Sequence, residues 1–199
     1  MTGALDALLS ELERFGQEND GAIAERPRRM LNITRDTGEF LAVLVRATAA
    51  RRVLEIGTSN GYSTLWLASA ARATGGSVTT VELSDYKVGL ARRNFARSGL
   101  ADLIALVQDP AARVLERAAD ASFDLIFLDA ERTEYPDQWP ELKRVLRPGG
   151  LLVVDNAISP AEAAAQMAPF VALVEADADF ATSVVPVGNG EFLAVRAIA

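Results

Sequence analysis

Cysteine and histidine are both absent from this chain of 199 residues. Without cysteine there is no disulfide, no thiolate nucleophile and no zinc–thiolate site. Without histidine the commonest general base and the commonest transition-metal ligand are gone as well. Any metal must therefore be held by oxygen. Lysine is nearly missing too, with Lys87 and Lys143 alone, so positive charge rests on arginine, which keeps its proton at neutral pH. Proton transfer is left to carboxylates and tyrosine.

There is no basic excess: the net charge is -7 and the sequence pI about 4.7. Nonspecific nucleic-acid affinity comes from Lys and Arg displacing counterions, so no nucleic-acid partner is expected. Long apolar runs are also lacking; the uncharged stretch at residues 163–174 is too short to span a bilayer and contains Pro169. The opening MTGALDALLSELERFG mixes acids into its apolar pattern and has no basic leader, unlike a signal peptide. The expectation is a soluble, cytoplasmic protein with no membrane partner. With half its residues hydrophobic, the chain suffices for one domain, 1–199, burying ~70% of its unfolded surface.

What is present is a repeated pattern. Four short apolar runs stop at an acid: VLE at Glu55, VTTVE at Glu82, LIFLD at Asp129 and LLVVD at Asp155. Such runs predict parallel strands buried on both faces, whose carboxyl ends form the ligand crevice of open α/β sheets. Four carboxylates are thus expected at one crevice, where they need hydroxyls or cations to satisfy them.

Residues 1–35 form an N-terminal helical cap, in which Leu5, Leu8, Leu9, Leu12 and Phe15 repeat at helical spacing in a helix expected to end by Gly16. A second helix is expected over 36–49. Strands at 52–56, 77–82, 103–107, 123–128 and 150–154 then alternate with helices at 61–73, 85–98, 110–118, 137–145 and 160–176. Two final strand runs flank Gly188-Asn189-Gly190 and predict an antiparallel hairpin. The fold expected is α/β: a Rossmann-like, doubly wound, mostly parallel seven-stranded sheet closed by that hairpin.

Between the first strand and its helix lies EIGTSNGYS, where Gly57 and Gly61 permit close backbone approach and a helix N-terminus offers free N–H groups to an anion. The G-x-G-x-x-G spacing of many nicotinamide enzymes is absent. Glu82 ends the second strand, where a carboxylate can accept both hydrogen bonds of a ribose diol. Asp109 ends the third and could accept from an adenine amino group, though Asp before Pro is also an ordinary helix cap. Asp129 with Asp155-Asn156 supplies two anionic oxygens and one neutral one, a set that suits a hard divalent cation such as magnesium. The bland alternative is that these three merely cap a helix and begin a turn. Arg132 overhangs the same crevice and could hold an anionic oxygen; Tyr135 is assigned to packing.

These segments resemble the cation-dependent class I O-methyltransferases, the group containing catechol and caffeoyl-coenzyme A O-methyltransferases. The resemblance runs from about Arg29 to the C-terminus and rests on the segment ending TGEFL, on LEIGTSNGYS, VELS, FDLIFLDAERTEY and LRPGGLLVVDN. It implies that Gly57 and the turn through Tyr62 and Ser63 hold the methionine part of S-adenosylmethionine, and that Glu82 holds its ribose. It further implies that Asn32 and Ile33 close over the cofactor, that Asp109, Pro110 and Ala111 lie near adenine, and that Asp129, Asp155 and Asn156 bind the cation. Relatives of this kind are often homodimers, and the N-terminal helix could serve that end or cover the acceptor pocket.

Arg132 stands where the family carries a catalytic lysine, and it can steer or stabilise an oxyanion but not act as a base. The cation would then activate the acceptor hydroxyl, with water or Glu131 taking the proton. The segment AISPAEA after Asp155-Asn156, and GNGEF in the hairpin, also depart from the family pattern, both beside the acceptor pocket. The expected activity is methylation of a hydroxyl on a small, catechol-like acceptor. A nicotinamide oxidoreductase using Glu82 for the same ribose, and a cofactor-binding protein without methyl transfer, are the alternatives.

Overall fold

A computed structural model describes residues 3–198. The apolar runs assemble into one sheet of seven strands: β1 (Arg52–Ile56), β2 (Ser77–Val81), β3 (Ile104–Val107), β4 (Phe123–Leu128), β5 (Leu146–Val154), β6 (Phe180–Val185) and β7 (Glu191–Arg196). Their order is β3-β2-β1-β4-β5-β7-β6. The first five run parallel, while β7 lies antiparallel between β5 and β6. The expected doubly wound sheet and closing hairpin are both present.

Residue parity sorts the two cores, because successive side chains of a strand point to opposite faces. Val53, Leu125, Phe127, Leu151 and Val153 pack against helices α1 (Gly3–Ala22), α2 (Arg35–Ala47), α3 (Tyr62–Thr74) and α4 (Asp85–Ser98). Leu54, Ile56, Ile126, Leu128, Leu152 and Val154 pack against α5 (Ala111–Arg117), α6 (Tyr135–Val145) and α7 (Ala161–Glu175). The chain winds outward from β1 to β2 and β3, then returns to place β4 on the other side of β1. That reversal opens a crevice at the strands' carboxyl ends.

The main departure from expectation lies in α1, which continues through Gly16 to Ala22. Gly16 is not a stop but a point of close approach: a Cβ there would sit 2.4 Å from Asn32 Nδ2. That amide instead donates to Leu12 O at 3.0 Å. The leucines of α1, Leu5, Leu8, Leu9 and Leu12, are buried in the chain's own core, so the helix neither roofs the crevice with them nor offers them to a partner. β5 begins earlier than expected because Leu146 pairs with Phe123 ahead of a register shift. No helix among the described residues is long and apolar enough to cross a membrane.

Candidate active site

The floor of the crevice is the turn after β1. Gly57 N and Thr58 N both donate to Val81 O, at 3.0 and 3.2 Å, which ties the turn to the tip of β2. Gly57 has φ +108, and a Cβ on it would lie 2.1 Å from Asp129 O, so the tips of β1 and β4 touch through bare backbone. Only glycine fits there. Beside it, Glu82 Oε2 accepts from Ser59 N at 2.9 Å, while Oε1 accepts from Leu83 N at 3.0 Å and Ser84 N at 2.9 Å. Three backbone donors fix this carboxylate and leave part of its roughly four lone-pair sites for a ligand.

Above the floor is a cavity of about 1050 Å³ lined by Asn32, Gly57, Glu82, Asp109, Pro110, Ala111, Asp129, Arg132, Asp155 and Asn156, all singled out by the sequence. Its outer wall includes Met30 and Leu31, whose N–H groups donate to the Asp20 carboxylate at 2.6 and 2.7 Å. Ser59 Oγ donates to Met30 O at 2.7 Å, pinning this wall to the floor. Asp109 lines the cavity with one oxygen accepting from Arg117 Nη1 at 3.0 Å, so only part of it is free for a ligand.

The far end gathers the acids. Arg132, only 7% exposed, projects its guanidinium between Asp129 and Asn156. Its Nη2 donates to Asn156 Oδ1 and stands 3.7 Å from Asp129 Oδ1. Burial first, and Asp155 second, push Asp129 up to about 8. Asp155 is raised by burial and opposed by a hydrogen bond with Glu191, whose own carboxyl burial and Asp155 push up to about 10. Asp155 Oδ1 and Glu191 Oε2 are both buried without a donor. Thr37 Oγ1 donates to Glu191 Oε1 at 3.0 Å and completes the brace. Tyr135 packs edge-on against Phe170 and also borders the cavity, with its hydroxyl accepting from Ala130 N at 2.7 Å behind the Asp129 turn.

Five expected site residues do not line the cavity. Glu55 is fully buried on the α3 side of β1, where its carboxylate accepts from Ser63 Oγ and Thr80 Oγ1, each at 2.5 Å, and from Thr64 Oγ1. Ser63 is thereby committed to Glu55. Gly61 caps α3 with φ +89 and makes room for Phe95, which a Cβ would meet at 2.5 Å. Tyr62 turns away to pack edge-on against Trp66, with ring centroids 6.4 Å apart. Ile33 is buried with the α1 leucines. Three of the four strand-end carboxylates thus reach the crevice, and Glu55 supports it from beneath.

Sequence reasoning missed Met30, Leu31, Ser59, Gln138 and the brace formed by Glu191 and Thr37. Glu191 did carry a signal, being an acid at the start of a strand where the hairpin departs from the resembled pattern.

A family model described as O-methyltransferase matches residues 5–197. The chain belongs to the O-methyltransferase family. It is 41% identical over 135 residues to a catechol O-methyltransferase of Mycobacterium tuberculosis, covering 68% of this chain and 60% of that one. An O-methyltransferase from Bacillus cereus, solved in complex with SAH, superposes with TM-score 0.79 at 27% identity over 96% of this chain and 90% of that one. TomG of Streptomyces achromogenes, an O-methyltransferase involved in tomaymycin synthesis and solved with SAM, superposes with TM-score 0.77 at 27% identity over 99% and 91%. For a methyltransferase of this family, the cavity between Glu82 and Asp155 is the candidate active site.

Proposed function

We propose that this enzyme is an S-adenosylmethionine-dependent O-methyltransferase acting on a small hydroxylated acceptor, with a divalent cation at the acceptor end. The observation that carries this is a single cavity with a fixed carboxylate, Glu82, at one end and Asp129, Asp155 and Asn156 at the other. Glu82 would hold the ribose, Gly57 would let the cofactor lie against backbone, and Met30 with Asn32 would flank it. S-adenosylmethionine supplies an electrophilic methyl group. Fixing donor and acceptor in one enclosed space makes their encounter effectively unimolecular.

For the cation, the donor chemistry fits: two carboxylates and an amide oxygen suit a hard ion such as magnesium. Among the described residues no group of three or more acids could hold an ion, so the set rests on two carboxylates and one amide oxygen. A bound divalent ion supplies Lewis acidity that lowers the pKa of an acceptor hydroxyl. Arg132 stays charged and stabilises the acceptor's oxyanion, and Glu131 on the cavity wall stands ready for the proton. The 41% identical catechol O-methyltransferase supports an acceptor with two neighbouring hydroxyls.

Calorimetric titration with S-adenosylhomocysteine and with NAD tests the cofactor. Tight binding of the former with none of the latter is expected, and preference for NAD would overturn the assignment in favour of an oxidoreductase. Labelled S-adenosylmethionine with a panel of catechols, in the presence and absence of chelator, tests transfer. Label appearing on oxygen only when magnesium is present is the expected result, and undiminished turnover in chelator would remove the cation from the scheme.

A further inference from the structure

At the acceptor end, the position a cation would take between Asn156 and Asp129 already has a cationic occupant. Arg132 Nη2 donates to Asn156 Oδ1 and lies 3.7 Å from Asp129 Oδ1, so one guanidinium nitrogen engages two of the three oxygens assigned to the ion. The side chain is buried rather than solvated, at 7% exposure. The third group, Asp155, is 4% exposed with an oxygen that no donor reaches.

We infer that Arg132 is a built-in competitor of the divalent cation: guanidinium and ion exclude one another at Asn156 and Asp129, and Arg132 sets how weakly the ion binds. This rests on the reading of Asp129, Asp155 and Asn156 as the oxygen set for the ion. A lysine at this position could give way by losing its proton, whereas arginine stays charged at any working pH and must swing out bodily. The structure eases that movement on one side, since Arg132 Nε is buried without an acceptor and is held by nothing at that atom. On the other side, departure strips Asn156 Oδ1 of its donor and Asp129 of its nearest positive charge, which only an incoming cation replaces. The consequence is an enzyme whose cation site fills at high ion concentration and is closed by its own arginine at low concentration.

The test is manganese binding, read by electron paramagnetic resonance on the full chain, for wild type, Arg132→Ala and Arg132→Met. The methionine variant keeps an apolar stem in the buried position should the alanine variant fail to fold. Affinity at least tenfold tighter in either variant is expected, and adding Asp155→Asn to Arg132→Met should abolish that gain, locating the ion. Equal or weaker manganese binding in a folded variant, or no manganese binding in any form, overturns the inference. Calorimetry with S-adenosylhomocysteine on the same samples separates the two levels. Retained cofactor binding with unchanged manganese affinity sinks only the competition, whereas loss of cofactor binding in the wild type sinks the methyltransferase reading.

Discussion

Replacing Glu55 by Gln should change how stability depends on pH while leaving the cofactor site intact. Burial raises the Glu55 carboxyl from 4.5 to about 7, against the opposing hydroxyls of Ser63, Thr64 and Thr80. Between those values the folded protein holds a proton that the unfolded chain has released, so stability falls as pH rises. The contribution is fully present below about 4.5 and lost above about 7, and a gap of this size amounts to about 3 kcal/mol. Glutamine keeps the shape, and the three hydroxyls can rotate to accept from its amide as readily as they donate to its carbonyl. Urea unfolding at pH 5, 6, 7 and 8 measures the effect. Asp129, Asp155 and Glu191 titrate with the same sign, so the quantity to read is the difference between variant and wild type. That difference should move in favour of Glu55→Gln by about 2 kcal/mol between pH 5 and pH 8. Affinity for S-adenosylhomocysteine should stay within about twofold, because Glu55 lies outside the cavity. Parallel pH profiles would refute the linkage argument, and a large loss of cofactor affinity would return Glu55 to the binding site.

The strands were legible because each is buried on both faces and ends at an acid, a pattern that survives without any knowledge of tertiary structure. The same property hid the role of Glu55. In a strand apolar on both sides no polar residue marks which face is which, so parity could not tell that Glu55 follows Val53 toward α3 rather than the crevice. The hydroxyl run Ser63-Thr64 and Thr80, polar residues inside apolar segments, was the available sign that a buried acid needed donors. After Gly57 the backbone turns left-handed at Ser59 (φ 50) and Gly61 (φ 89), which breaks the periodicity that would have aimed Tyr62 and Ser63 away from the cavity. Glu191 comes beside Asp155 only through pairing of β7 with β5, and Thr37 meets Glu191 only through packing of α2, contacts far apart in sequence. Arg132 was placed at the right crevice from its nearness to Asp129, yet its hold on Asn156 required the carboxyl tips of β4 and β5 to be seen side by side.

Three further outcomes are expected. Gly57→Ala puts a Cβ 2.1 Å from Asp129 O at φ +108, so a loss of more than about 2 kcal/mol should appear in thermal melts, and an unchanged Tm would contradict the close approach of the strand tips. Glu82→Gln removes the charged acceptor assigned to ribose, and S-adenosylhomocysteine affinity should fall tenfold or more by calorimetry, a charged hydrogen bond contributing about 1.5–3 kcal/mol; a change within twofold would end that assignment. Asp124→Asn acts at the opposite end of the sheet. There one carboxylate accepts from Arg51 N at 2.9 Å, Arg52 N at 2.8 Å, Arg52 Nη2 at 3.0 Å and Arg147 Nε at 2.8 Å. Burial raises the Asp124 pKa, but the hydrogen bonds, led by that of Arg52, outweigh it and hold the carboxyl well below the usual carboxylate range. Its stabilisation is therefore present above about pH 4 and lost as pH falls further. Both arginines are partly exposed, which discounts the pairs, so asparagine should cost about 2 kcal/mol at pH 6. The gap between variant and wild type should narrow on acidification, as the unfolded wild-type chain takes up a proton at Asp124 that the folded carboxyl still refuses. A deficit that stayed constant from pH 6 to pH 3 would mean that Asp124 holds β1 and β5 through shape alone, and that its charge contributes nothing.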